Sequence, residues 1–153
     1  MSGFSTLRRF ALSAAMLGFA AAIFPVSSVL ISGDRDAILV DAQFGKAQAL
    51  QVVDKIRASG KHLTTIYISH GDPDYYFGLE TLTRAFPDAK VVAPGPVVGH
   101  INQTKDAKLA FWGPQMGADM PQQLIVPQVL KGNTLDLEGR ELDIVGLSGR
   151  QPD

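Results

Sequence analysis

The spacing of apolar positions changes along the chain, and each change marks an element. VSSVLIS (26–32) and AILVDAQ (37–43) are short β-type runs separated by Gly33-Asp34-Arg35-Asp36. A polar cluster with glycine supplies a turn, so the two runs are expected to pair as a hairpin. In GKAQALQVVDKIRASG (45–60) the period lengthens, and Ala49, Val52, Val53 and Ile56 fall on one face of a helix. Gly60 stands where such a helix closes. LTTIYIS (63–69) and KVVA (90–93) read as strands, and GLETLTRAFP (78–87) as a short helix stopped by Pro87. VVGHINQTKDAKLAFW (97–112) is expected as a longer helix running out of Pro96, and QMGADMPQQ (115–123) has loop composition. QLIVPQVL, TLDLEG and RELDIVGL are β-type, with Glu138-Gly139 turning between the last two. Strands alternating with helices in this order predict an α/β fold, helices packed on a mixed sheet.

Composition narrows the picture. The chain has 153 residues, 46% of them hydrophobic, enough for one domain with a real core. A net charge of −1 without blocks of like charge argues against nucleic acid as a partner. The absence of cysteine excludes disulfides, thiolate zinc sites and cysteine nucleophiles. At the amino terminus MSGFSTLRR carries two arginines and no acid, FALSAAMLGFAAAIF carries no charge, and Ala20-Ala21-Ala22 is a run of small residues. That layout predicts a signal peptide over residues 1–22 and an exported, periplasmic or secreted, domain over 23–153. The alternative is an uncleaved segment that anchors the chain in the membrane.

The candidate chemistry gathers in IYISHGDPDYYFG (66–78). A strand ends on His70, and Asp72 and Asp74 follow at two and four residues. Asp41 ends another strand, and in α/β sheets ligands sit at the carboxyl ends of strands. Imidazole and carboxylate are the donors for a divalent metal when no thiolate is present. In an extended segment residues two apart point the same way, so His70, Asp72 and Asp74 could face one centre. The competing reading is a plain turn, with Gly71 and Pro73 shaping the backbone and the aspartates bonding it. Elsewhere, His62 and His100 read as surface or structural residues and Trp112 as the buried end of a helix. Tyr75, Tyr76 and Phe77 read as packing rather than a pocket mouth. Ser69 lies in no glycine elbow that would mark a nucleophile.

ILVDAQF, a helix and then TIYISHGDPDYYFGLETL resemble the first half of the metallo-β-lactamase superfamily. The resemblance runs from about Phe24 to Leu147 and implies a partial αββα sandwich. It also implies a hydrolase in which metal-activated water attacks an ester, amide or thioester of a small-molecule substrate. His70 and Asp74 match metal ligands of the family motif, with Asp74 the catalytic carboxylate, and Asp41 matches the aspartate that supports the loop. Asp72 stands where a second histidine is expected and could still ligate; Tyr75 stands where a third is expected, and Arg150 at the place of a later one. Zinc is the implied metal, but this oxygen-rich set leaves room for iron or manganese. The chain spans about the first half of that fold, which predicts an incomplete sheet open to self-association. A homologue that has lost the chemistry and serves for binding, or a truncated gene product, are the alternative readings.

Overall fold

The computed structural model describes Ser13–Leu17 by its backbone and residues 26–146 throughout. A mixed sheet runs in the order β1 (Ser13–Leu17), β2 (Ser28–Ser32), β3 (Asp36–Val40), β4 (His62–Tyr67), β5 (Lys90–Ala93), β6 (Gln128–Val129). β1, β2 and β3 pair antiparallel, and β3 to β6 pair parallel. β1 falls within the segment expected to be a signal or anchor. The hairpin of β2 and β3 turns at Gly33, as its composition predicts.

Parallel strands need crossovers, and helices supply them. α1 (Lys46–Ser59) links β3 to β4; it buries Ala49, Val52, Val53 and Ile56 and closes on Gly60 in the left-handed conformation, φ 68°. α2 (Pro73–Tyr76) and α3 (Leu79–Ala85) link β4 to β5, and α4 (Gly95–Met116) links β5 to β6. The main core lies between these helices and the sheet, where Leu39, Ile66 and Ile68 meet Val52, Ile56, Leu79, Leu82 and Ile101. The other sheet face is covered by a hairpin of β7 (Thr134–Leu137) and β8 (Arg140–Asp143), whose Leu135 and Leu137 pack on Ile38 and Tyr67. β3 is thus buried on both faces, which explains its unbroken apolar run.

Two elements depart from expectation. QLIVPQVL forms only the two-residue β6, because Pro127 has no N–H for a ladder; Leu124, Ile125 and Val126 pack on the core without strand pairing. α4 runs through Pro114 to a buried Met116, past the end predicted at Trp112, so the first residues of the expected loop are helical. Leu147 to Asp153, including Arg150, lie outside the described residues.

One carboxylate ties the two hairpin turns together. Glu138 and Gly139 turn β7 into β8 with φ 56° and 78°. The Glu138 carboxylate accepts hydrogen bonds from the backbone N–H groups of Asp34, Arg35 and Asp36. Those bonds hold its pKa down at about 2. A Cβ on Gly33 would lie 2.8 Å from this carboxyl group, so the contact requires glycine. A depressed carboxyl pKa stabilises the fold above its ordinary value of 4.5 and ceases to do so as pH falls toward about 2. Thermal melts of the parent should therefore lose midpoint across that window, and Glu138→Gln should lose less. Gly78→Ala is a sharper case: its Cβ would sit 2.0 Å from the Ala42 carbonyl oxygen, and backbone cannot yield as a side chain can. Urea unfolding of that variant should show a loss of about 1–3 kcal/mol or more, the cost of overpacking.

Candidate functional site

At the end of β3 the chain enters a bend that favours glycine but contains none. Asp41 has φ 64° and Gln43 φ 73°. Such backbone is held by its surroundings or not at all. The Asp41 N–H donates to the Tyr67 carbonyl at 2.9 Å, and the Ala42 N–H to the Tyr75 carbonyl at 2.7 Å. Gln43 Nε2 donates to Ser28 Oγ, which donates in turn to the Asp41 carbonyl. The bend aims the Asp41 carboxylate at the end of β4. There it accepts from the Ser69 N–H at 2.8 Å and from the Ser69 hydroxyl at 2.8 and 3.0 Å. Burial raises the Asp41 pKa to about 6 against the lowering effect of these bonds.

Ser69 Oγ also lies 2.9 Å from His70 Nδ1. A hydroxyl has one proton. With that hydroxyl donating its hydrogen bond to Asp41, His70 Nδ1 donates to Ser69, and in the neutral ring Nε2 is the nitrogen left with a lone pair. The imidazole stacks on the Tyr75 ring at 4.5 Å. Asp74 is half-buried, and its pKa is raised by desolvation and by the neighbouring Asp72, against the pull of His70 and Lys108.

Asp72 turns elsewhere. It stands at the N-cap position of α2 without a capping bond from its side chain. Its carboxylate meets the Lys108 ammonium of α4 at 2.7 Å, with His100 Nε2 at 3.9 Å. The pattern of alternate residues facing one centre fails here for a physical reason. Pro73 starts a helix, so Asp72 and Asp74 no longer share an extended segment, and residues two apart on a helix point away from each other. Among the described residues no group of three His, Cys, Asp or Glu side chains is arranged to hold a metal ion.

A cleft of about 220 Å³ opens between this loop and α4, lined by Phe44, Asp72, Pro73, Asp74, Lys108 and Trp112. Trp112 is half-buried, packs against the core edge-on to Phe44 at 5.5 Å and also lines the cleft, with α4 continuing past it to Met116. Tyr76 and Phe77 are core residues, while Tyr75 is half-buried against His70. His62 is exposed and pairs with Asp36 at 3.2 Å. Lys108 is the residue that sequence reading missed, while His100, read as surface or structural, is its half-exposed partner on α4. Its loop partners lie across space, so ligand spacing along α4 itself carries no signal for it.

Residues 22–149 match the family model of the metallo-beta-lactamase superfamily. YobT, an uncharacterized protein of Bacillus subtilis (strain 168), is 32% identical over 76 residues, half of this chain and 32% of YobT. Among solved structures, the FEZ-1 metallo-beta-lactamase from Legionella gormanii matches at TM-score 0.57 with 23% identity, over 76% of this chain and 45% of that one. A metallo-beta-lactamase of Cronobacter sakazakii matches at TM-score 0.53 with 25% identity, over 74% of this chain and 44% of that one. The chain thus spans less than half the length of these relatives, and the structural likeness is one of fold. With the family model covering most of its residues, the chain belongs to the metallo-β-lactamase superfamily.

Proposed function

We propose that this chain carries the reactive loop of a hydrolase-type domain acting on a small molecule held between that loop and α4. The observation behind the reading is the Asp41–Ser69–His70 chain, which fixes the His70 imidazole within the electrostatic reach of the desolvated Asp74 carboxylate. These two groups are the ones able to take a proton from attacking water, with Asp74 as the catalytic carboxylate and Asp41 as the support. Membership of the superfamily supports the hydrolase class, and the bond attacked is proposed to be an ester, amide or thioester. A divalent metal held by His70, Asp72 and Asp74 together does not fit this arrangement, because Asp72 is already neutralised by Lys108.

A second reading is a fold that retains the loop for binding alone. The Tyr75 ring stacked on His70 favours it, since it covers one face of the imidazole. Export through residues 1–22 belongs to the proposal and is supported by their basic-then-apolar composition. So does self-association along the two-residue edge strand β6, which carries the exposed Val129. The near-neutral charge supports the absence of a nucleic-acid partner.

Trp112 is the sole tryptophan, so its emission reports on the cleft. Screening ester, amide and thioester panels against the purified chain should find a substrate that changes this emission. His70→Ala and Asp74→Asn should each lower turnover by about 10²-fold or more, the usual worth of a positioned proton acceptor. Ligand binding without turnover would select the binding reading. Elemental analysis should find no stoichiometric metal. Zinc, iron or manganese that is present in the parent and lost from an Asp72→Ala, Asp74→Ala variant would restore the metal-dependent reading.

A further inference from the structure

We infer that Lys108 is a built-in cation of the loop, whose ammonium holds Asp72 and so keeps a divalent metal from it. The inference rests on the reading above, in which the loop works without a three-ligand metal. It is carried by the surroundings of one atom. A lysine ammonium has three donors and no acceptor. Lys108 Nζ has three acceptors around it: Asp72 Oδ1 at 2.7 Å, His100 Nε2 at 2.9 Å and the Gly71 carbonyl at 3.2 Å. The set comes from both walls of the cleft, Gly71 and Asp72 from the loop and His100 from α4 itself.

The packing of those walls shows that the contact is built. A Cβ on Gly71 would lie 2.6 Å from His100 Cδ2, so loop and helix meet closely enough that an added side chain would have to turn the His100 ring. The Lys108 side chain is 20% exposed, well below the usual state of a lysine. With the ammonium as donor, His100 Nε2 is the acceptor of that contact. A metal ion reaching Asp72 would have to displace the ammonium or sit beside a like charge at contact distance. Lys108 is a positioning residue by this account. It sets where Asp72 points and which cation the loop accepts.

The test is metal binding after the charge is removed. Lys108→Met, Lys108→Gln, Lys108→Arg and a Lys108→Met, Asp72→Asn double variant would be melted and titrated calorimetrically with Mn²⁺ and Zn²⁺. Lys108→Met should melt about 3–6 °C below the parent without metal, as expected for the loss of one charged hydrogen-bonded contact in a chain of this size. Added metal should raise its midpoint and bind at least about tenfold more tightly than to the parent, a difference of about 1.4 kcal/mol. Lys108→Gln keeps hydrogen-bonding capacity without charge and gives the same readout should Lys108→Met not fold. Lys108→Arg and the double variant should show no gain. Neutral variants that respond to metal no more than the parent would overturn the inference and leave the proposed function standing. Stoichiometric metal on the parent itself would overturn both the inference and the metal-free part of the proposal.

Discussion

The grip of Asp41 on Ser69 is the constraint from which the rest of the site follows. A carboxylate buried at the end of β3 loses hydration, and its pKa rises to about 6 for that reason. It stays in place because the Ser69 amide and hydroxyl replace the lost water. The same bonds join the ends of two parallel strands that are far apart in sequence. They also require the left-handed backbone at Asp41, which neighbouring carbonyls and the Ser28–Gln43 pair then hold. Once the Ser69 hydroxyl donates its hydrogen bond to Asp41, the His70 Nδ1 facing it must be the donor of the pair. Hydrogen-bond direction, backbone strain and ring tautomer are thus one linked choice at this joint.

The second wall of the site depends on close approach rather than on charge. Gly78 leaves room for the Ala42 carbonyl, and Gly71 leaves room for His100. A side chain at Gly78 would push the loop off the β3 bend and α1, and one at Gly71 would displace the His100 imidazole. This closeness brings Lys108 within reach of Asp72. Without it, the two would be an exposed pair of the kind that contributes little. The helix-side core and the loop geometry are therefore coupled: Leu79 and Leu82 seat α3, α3 fixes Gly78, and Gly78 fixes the bend after β3.

Much of this was legible in the sequence, and the limits were physical. The β2–β3 hairpin, α1 with its glycine stop, α3 before Pro87 and the Glu138-Gly139 turn all announce themselves through period and turn residues. Their local preferences agree with the fold. β6 was overcalled because an apolar run says nothing about which N–H groups Pro127 removes. The ligand geometry was misjudged for a related reason. A two-residue spacing in HGDPD implies a common face only if the backbone is extended, and Pro73 is also a favoured first residue of a helix. Lys108 was invisible because the signal lies in a partner 36 residues away. Asp41 and His70, in contrast, were found together, since both stand at strand ends and strand ends of a parallel sheet converge.

Charge bookkeeping over the cleft shows why an internal cation suits this loop. Asp41, Asp72 and Asp74 bring three carboxylates toward one end of the sheet, and each is at least partly removed from water. Such a group must be offset by protonation, by hydrogen bonds or by a cation. Asp41 is met by Ser69. Asp72 is met by Lys108. Asp74 has its own backbone N–H and the field of His70 and Lys108, and burial together with the neighbouring Asp72 outweighs them, so its pKa is raised. The loop thus leaves one carboxylate incompletely compensated, in the field of the His70 imidazole and in a cleft it shares with the rings of Phe44 and Trp112. A ligand carrying a hydrogen-bond donor could satisfy Asp74 there, and a proton could reside there during a reaction. The incomplete compensation of Asp74 is what the proposed role of this end of the sheet rests on.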